Sequence, residues 1–309
     1  MDVINDISLY AAGPSAVCVG VFDGLHLGHQ DLLAQLVAQA KSRNLTSVVV
    51  TFEPHPRIVL SKGNDRVGLL TTAQERNDLL AKIGIDILVV VPFTREFSDL
   101  TAREFLNSYL AVRLQAKFLL MGYNHRFGSD DVTPDGYPAL AQEAGIQTLR
   151  AGAFSLPGNV KVSSTEVRNA LSRGDVVTAA ALLGRPYSLS GNVVHGDAIG
   201  RKIGFPTANI VPADERKLIP ADGVYACQIS FDGEKPRPAV LNVGSRPTVG
   251  GADRRIEAHV LDFDGDVYGG SATILFISRI RDEKKFRSQN DLAKQIMDDV
   301  AAARNASHD

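Results

Sequence analysis

The sequence is poor in the residues that mark secreted, metal-clustered or membrane proteins. Its 309 residues include two cysteines, three methionines and no tryptophan. Cys18 and Cys227 lie in separate apolar runs without metal-ligand or redox spacing, so we interpret both as buried thiols of a reducing compartment. The longest apolar runs, such as Ile87 to Val91, are far shorter than the roughly 20 residues that span a bilayer, so we expect no membrane segment.

An excess of charge is also missing. Acidic and basic side chains nearly balance on both sides of Arg185, and the net charge of the chain is −2. We therefore expect no binding surface for nucleic acid. The segment from Met1 to Tyr10 carries acidic residues and lacks the basic start and apolar core of a signal peptide, so we expect a cytoplasmic protein. The sequence leaves the oligomeric state open.

The first 150 residues alternate short β-branched runs with helical patterns, which is typical of a doubly wound parallel sheet of the Rossmann-like kind, and we predict a first domain over residues 1–184. Thr72 with Glu75 and Thr101 with Glu104 have the spacing of capping boxes, and Gly84 and Gly145 are suited to end helices. The predicted strands are Ala16 to Val21, Ser47 to Phe52, Ile87 to Phe93, Phe118 to Met121 and Ile146 to Leu149.

Residues 185–309 have a different texture, with strands punctuated by glycine and proline, which predicts a small antiparallel β-barrel as a second domain. Before it, Ser164 to Leu183 reads as two short helices with a new start at Asp175. A final helix is predicted over Asn290 to Ala303. The predicted strands are Leu189 to Val194, Val224 to Phe231, Ala239 to Val243, Ile256 to Phe263 and Ala272 to Ile280.

The turn Gly20 to His29 lies between the first predicted strand and the first helix, where ligands bind in parallel α/β sheets. Gly24 and Gly28 let the backbone approach a phosphate closely, and the helix N-terminus offers free N–H groups. His26 and His29 are three residues apart, so they share one side of the first turn and could donate hydrogen bonds to a phosphoryl group in transfer. A glycine-rich turn with two surface histidines is the plainer alternative.

This turn resembles that of the nucleotidyltransferase family with a His-Xaa-Gly-His signature. Within that family, three further segments resemble the adenylyltransferase domain of bacterial bifunctional riboflavin kinase/FAD synthetases. The segments are Thr51 to Pro56, Gly122 to Gly128 and Ser163 to Arg168. All three follow predicted strands, so they can converge on one crevice.

The resemblance implies adenylyl transfer from ATP to FMN, with His26 and His29 as catalytic residues. Ser164, Thr165 and Arg168 would form a second anion clamp, which suits hydroxyls, N–H groups and a guanidinium at a helix start. His55 would line the FMN site, although a histidine between two prolines is as often structural. The ATP-binding set would comprise Gly20, Phe22, Asp23, Gly24, Gly28 and Asn124 beside the clamp. The sequence departs from the family at His125, where an aromatic residue is usual.

The second half has its own motif set. Gly196, Gly200 and Gly204 recur every four residues and lead into Pro206-Thr207-Ala208-Asn209. Thr207 and Asn209 are two apart on a strand, so they present a hydroxyl and an amide oxygen suited to Mg²⁺ and phosphate on one face. The glycines alone would indicate no more than a flexible hairpin loop.

This set resembles the riboflavin kinase domain, together with the segments at Gly223 to Ala226, Asn242 to Gly244 and Ile256 to Phe263. The resemblance implies that the three glycines, Thr207 and Asn209 bind ATP phosphates, and that Thr207 and Asn209 also hold Mg²⁺. It further implies that Glu257 is the general base for the 5′-hydroxyl of riboflavin, since that chemistry needs a carboxylate beside the γ-phosphate.

Two resemblances of this kind predict a bifunctional enzyme whose substrates are riboflavin, FMN and ATP and whose product is FAD. One alternative is a single-activity nucleotidyltransferase with a degenerate flavin-binding module after residue 184. Another is an aminoacyl-tRNA synthetase, which shares the His-Xaa-Gly-His helix start. The near-neutral halves and the Pro-Thr-Ala-Asn motif argue against a tRNA-binding enzyme.

Overall fold

The computed structural model describes residues 1–61, 68–123, 125–133, 135–196, 200, 204–248 and 251–306. The chain divides into two compact units, Met1–Val162 and Ser163–Asp309. None of the helices in the described part of the chain is both long and apolar enough to cross a membrane.

The first unit is built on a six-stranded parallel sheet in the order β1-β4-β3-β2-β5-β6. The chain reverses its direction of winding between β2 and β5, which is the switch point where a ligand crevice forms in such sheets. The strands are β1 (Asp2–Ile4), β2 (Ser15–Val19), β3 (Thr46–Glu53), β4 (Ile87–Pro92), β5 (Ala116–Met121) and β6 (Gln147–Arg150).

Helices cover both faces of this sheet, as the doubly wound pattern predicts. Alternate residues of β2 enter opposite cores, with Val17 packing in the cluster that contains Leu106 and Cys18 in the cluster that contains Leu33. The helices are α1 (Leu27–Ser42), α2 (Pro56–Leu60), α3 (Ala73–Ile83), α4 (Arg95–Ser98), α5 (Ala102–Glu104), which continues as a π-helical stretch (Phe105–Arg113), and α6 (Tyr137–Glu143). A small antiparallel pair, β7 (Ser155–Leu156) and β8 (Val160–Lys161), follows.

The local signals for helix ends are confirmed. Both predicted capping boxes form, with Thr72 and Thr101 accepting from the backbone N–H of the glutamate three residues on. Gly84 ends α3 in the left-handed conformation. The edge strand β1 was not predicted, because three largely exposed residues show no burial pattern and pair only with the distant β4.

The second unit is a closed antiparallel barrel with helices at both ends of its sequence, and the predicted barrel is confirmed. Its elements are α7 (Ser164–Ser172), α8 (Val176–Leu183), β9 (Tyr187–Val194), β10 (Ala208–Pro212), β11 (Gly223–Phe231), β12 (Arg237–Thr248), β13 (Gly251–Val260), β14 (Ser271–Arg281) and α9 (Gln289–Ala306). Neighbouring strands follow the order β10-β13-β12-β11-β14-β9.

Helices α7 and α8 belong to the same compact unit as the barrel, whereas the sequence pattern places the domain boundary between residues 184 and 185. Asp175 caps α8 as predicted. The backbone N–H of Ala221 donates to the carbonyl of Leu171, and a side chain at Gly174 would collide with Arg279 and Tyr225. The helix pair is therefore fitted closely against the barrel.

Candidate active sites

The turn between β2 and α1 places two imidazoles at the switch point of the sheet. His26 is the N-cap of α1, and its Nδ1 accepts a hydrogen bond from the backbone N–H of His29 at 3.2 Å. The two rings stack with centroids 3.6 Å apart, and the edge of Phe22 meets His29 at 5.3 Å. The turn therefore places two stacked rings at the N-terminus of α1, where the helix dipole favours negative charge.

His29 is uncharged in this arrangement. Burial, and secondly the neighbouring His26, hold the pKa of His29 well below its ordinary value. Its buried Nδ1 has no hydrogen-bond partner among the described residues. A neutral imidazole with an unused ring nitrogen is suited to exchange a hydrogen bond with an incoming polar ligand.

Asp23 holds the turn in shape. Its carboxylate accepts hydrogen bonds from the backbone N–H groups of Leu70 (2.9 Å) and Thr71 (3.0 Å) and from the hydroxyl of Thr71 (3.2 Å). The Thr71 oxygen in turn accepts from the N–H of Gly24. Gly24 has φ +82°, and a Cβ there would come within 2.7 Å of Leu70. Glycine at this position thus permits both the turn and its contact with the segment before α3.

Three further predicted residues of the first unit, Gly20, Gly28 and His55, follow β2 and β3 at the carboxyl edge. Gly20 directly follows β2, and its N–H donates to Val50. Gly28 lies in the first turn of α1. His55 caps α2 by accepting a hydrogen bond at Nδ1 from the N–H of Arg57. The predicted ligand Asn124 lies outside the described residues.

The residues of the predicted anion clamp belong to the second compact unit. Ser164 and Thr165 occupy the first turn of α7, and Arg168 lies one turn further on. The cap itself is the preceding Ser163, whose side chain accepts from the N–H of Glu166.

One buried cation near the first site was not predicted from the sequence, because it is not part of a recognisable motif. Arg76 on α3 is 7% exposed, and its Nη2 lies 3.3 Å from the Glu53 carboxylate at the end of β3. Burial lowers the pKa of Arg76, while Glu53 and Asp23 oppose that shift. From the sequence alone, Arg76 is only an arginine in an amphipathic helix. Its burial depends on how α3 packs against the rest of the first unit.

The second unit holds a pocket of about 330 Å³ that collects the predicted kinase residues. Asn209 on β10 and Asn242 on β12 are both paired with Glu257 on the intervening strand β13. Thr207 lies just before β10 and lines the same pocket. Residues from the hairpin β12–β13 and from the sequence-distant strand β10 are therefore brought to one level of the barrel.

The glycine-rich loop borders this pocket. Gly200 lines it, and a side chain at Gly196 would collide with the Asn209 amide. Gly204 has φ +86° and open space around its Cα. Residues 197–199 and 201–203 lie outside the described residues.

The pocket lining combines these oxygen donors with apolar and further charged side chains. The apolar residues are Val224, Val240, Phe286, Leu292 and Ile296, and the charged ones are Arg281, Glu283, Lys284 and Asp299. A second cavity of about 260 Å³ also includes Thr207 and is lined further by Val260, Phe263, Val267 and Tyr268. Thr207 is therefore a lining residue of both cavities.

Comparison with known proteins finds a matching family model for each half of the chain. A family model for FAD synthetase matches residues 10–166, and one for riboflavin kinase matches residues 183–307. A bifunctional riboflavin kinase/FMN adenylyltransferase of Escherichia coli (strain K12) is 40% identical, covering 98% of this chain and 97% of its own. The protein of that name in Bacillus subtilis (strain 168) is 34% identical, with 94% and 91% covered.

A solved structure shares the fold of the whole chain. It is the crystal structure of a Streptococcus pneumoniae protein described as a macrolide-efflux protein, with a TM-score of 0.90, 33% identity and 98% of both chains covered. The sequence relatives and both family models agree instead on the two flavin reactions.

Proposed function

The chain belongs to the bifunctional riboflavin kinase/FMN adenylyltransferase family, and we propose how its residues divide the two reactions of that family. It phosphorylates riboflavin to FMN in its C-terminal part and joins FMN to the adenylyl group of ATP in its N-terminal part, releasing pyrophosphate. The alternative of a degenerate C-terminal module is set aside.

The observation that carries the kinase assignment is the alignment of Asn209, Asn242 and Glu257 on adjacent strands. We propose that the Glu257 carboxylate takes the proton of the riboflavin 5′-hydroxyl. The hydroxyl oxygen then bonds to the γ-phosphorus of ATP, and the bond to ADP breaks.

The donors around Glu257 fit a magnesium–nucleotide complex. Thr207 and Asn209 offer a hydroxyl and an amide oxygen, and Mg²⁺ is usually held by a few protein oxygens together with substrate phosphates. When bound with ATP, the ion would neutralise charge that develops on the transferred phosphoryl group. Thr207 and Asn209 would hold it, while the Gly196 to Gly204 loop would let the backbone approach the phosphates.

The two cavities that share Thr207 suit the two substrates. The larger has an apolar wall of Val224, Val240, Leu292 and Ile296, which can cover the ring system of riboflavin while the ribityl chain reaches Glu257. The smaller, with Phe263 and Tyr268 in its lining, can take the nucleoside of ATP.

In the first unit we propose direct transfer without a covalent enzyme intermediate. A phosphate oxygen of FMN bonds to the α-phosphorus of ATP and pyrophosphate leaves, so the protein's contribution is positioning and charge stabilisation. The imidazoles of His26 and His29 would donate hydrogen bonds to the transferring group. Ser164, Thr165 and Arg168 would bind phosphate oxygens, as the family resemblance implies.

We also propose that residues 185–309 suffice for kinase chemistry, because every proposed kinase residue follows Arg185. The protein would act on these small molecules in the cytoplasm, without nucleic acid or membrane as a partner. The near balance of charge on both sides of Arg185 supports the proposal on nucleic acid.

Separation of the two reactions tests the assignment. Glu257→Gln keeps the side-chain volume but cannot accept the hydroxyl proton, so riboflavin phosphorylation should fall by about 10² to 10⁴ while supplied FMN is still converted to FAD. His29→Ala should do the reverse, so that FMN accumulates from riboflavin. Chromatography of the flavins measures both.

Each variant serves as the folding control for the other. The result that would overturn the assignment is loss of both reactions from either single substitution in a protein that keeps the wild-type circular dichroism spectrum and melting profile.

A further inference from the structure

The wall of the larger kinase cavity is partly made by the last helix of the chain. Leu292, Ile296 and Asp299 of α9 line the cavity together with residues of the barrel. Leu292 and Ile296 are one helical turn apart, so their distance from the barrel depends on how α9 is seated. A small shift of the helix would change the width of the cavity.

Apolar packing holds the far end of α9. Ala303 is fully buried in a cluster with Val224 and Val240, and Val300 and Ala306 pack against that cluster. Such contacts are not directional and leave the rotation and rise of a helix loosely defined. Asp299, which directly precedes Val300, adds a contact of a different kind.

An ion pair joins Asp299 of α9 to Arg281, the last residue of β14. Arg281 Nε donates to Asp299 Oδ1 at 2.9 Å, and Arg281 Nη2 donates to Asp299 Oδ2 at 2.8 Å. The side chains are only 14% and 2% exposed. Gln295 adds a donor to Oδ1 at 3.1 Å, and the other Arg281 nitrogen donates to the Asp282 carbonyl. The carboxylate is thus buried and the guanidinium partly buried, and both are paired and hydrogen-bonded.

A two-pronged bond of this kind defines one geometry. The planar guanidinium fork matches the carboxylate only at a single orientation, so it resists sliding or rotation of the helix. Burial of the pair costs solvation energy that apolar side chains would not cost, so its use is better explained by register than by stability.

We propose that Arg281 and Asp299 are positioning residues for riboflavin, because they set the distance between Leu292, Ile296 and the barrel wall. This inference rests on the proposed function, in which the larger cavity takes the flavin. Neither residue takes part in the chemical step. Their loss should therefore weaken binding of riboflavin much more than it slows phosphoryl transfer.

The test compares steady-state kinase kinetics of four full-length variants. Asp299→Asn keeps shape but removes the charge, and Arg281→Lys keeps the charge but removes the fork. Each should raise the KM for riboflavin about tenfold, with kcat within about threefold and the KM for ATP unchanged. Because Arg281→Lys retains a buried cation for Asp299, it remains informative if Asp299→Asn fails to fold.

The chain supplies a matched control on the same helix. Arg304 pairs with Asp262 at 2.7 Å, but the side chains are 51% and 71% exposed, so Arg304→Gln should leave both KM values unchanged. FMN adenylylation in the first unit is a further control in every variant.

Ile296→Ala separates failure of this inference from failure of the cavity assignment. If it raises the KM for riboflavin while the two ion-pair variants match Arg304→Gln, the cavity assignment stands and the positioning role is wrong. If Ile296→Ala has no effect either, the flavin does not occupy this cavity. If kcat falls in the ion-pair variants while the KM values for riboflavin and for ATP rise together, the pair is merely structural and the proposal is overturned.

Discussion

Replacement of His125 by phenylalanine should make the first unit resistant to mild acid. His125 follows β5, and its ring lies 5.4 Å from that of Phe127. Its Nε2 is buried and has no hydrogen-bond partner among the described residues, and burial lowers the pKa of His125 to about 4. A neutral aromatic ring at this position removes the buried nitrogen and restores the residue type that is usual in the family.

The sign and size follow from proton linkage. Because the folded pKa lies below that of the unfolded chain, about 6.5, the unfolded state binds more protons between these values. The neutral ring costs little stability above pH 6.5, and stability is lost as the pH falls from 6.5 toward 4. At pH 5 the loss is about 2 kcal/mol, against about 0.2 kcal/mol at pH 7. His125→Phe should abolish this difference.

Urea unfolding of the full chain at pH 7 and pH 5 measures the effect, with pulse proteolysis reporting peptides of the first unit separately. The pH-dependent gap between variant and wild type isolates His125, since all other groups titrate in both. His195→Phe, an exposed histidine of the second unit, should show no such gap. Equal acid sensitivity of His125→Phe and wild type would refute the reasoning. A fall in FAD synthesis beyond about a hundredfold, some 2.7 kcal/mol, would instead show a specific role for His125.

Two further results are expected. Asp23→Ala leaves two backbone N–H groups without their acceptor, so it should destabilise the first unit by about 1–3 kcal/mol per lost partner and reduce FAD synthesis. Asp23→Asn keeps one acceptor oxygen, so it should destabilise the first unit and reduce FAD synthesis less than Asp23→Ala does. An effect of either variant on riboflavin phosphorylation would contradict the prediction. Residues 163–309 and 185–309 should both phosphorylate riboflavin, but the longer fragment should melt at a higher temperature because α7 bonds to Ala221; equal melting temperatures would show that the helix pair does not stabilise the barrel.

Features that depend on neighbouring residues were predictable from the sequence. The capping boxes at Thr72 and Thr101 and the helix start at Asp175 involve partners three residues away, and all are present. The alternation of β-branched runs with helical patterns was enough to predict the parallel sheet, and strands punctuated by glycine and proline were enough to predict the barrel. The π-helical stretch Phe105–Arg113 was not predictable, because its apolar residues fit an ordinary helix as well.

Contacts between distant residues were not predictable. The bonds from Asp23 to Leu70 and Thr71 join positions 47 and 48 residues apart, and no spacing rule links them. The pairing of Arg281 with Asp299 likewise depends on the docking of α9. In both cases a charged residue, which the sequence alone suggests is a surface or ligand-binding residue, forms hydrogen bonds with a distant segment of the chain.

The two units also differ in how far a motif predicts the place of a site. In a parallel sheet all carboxyl ends lie at one edge, so residues that follow β2, β3 and β5 are at the crevice whatever the register. In the antiparallel barrel, strand ends alternate, and a residue reaches the cavity only if its strand has the right pairing. Glu257 is opposite Asn209 and Asn242 on its two neighbours, and a slip of one residue in β13 would turn its carboxylate to the other face. The kinase site is therefore defined by strand register, which the motifs of the barrel do not encode individually.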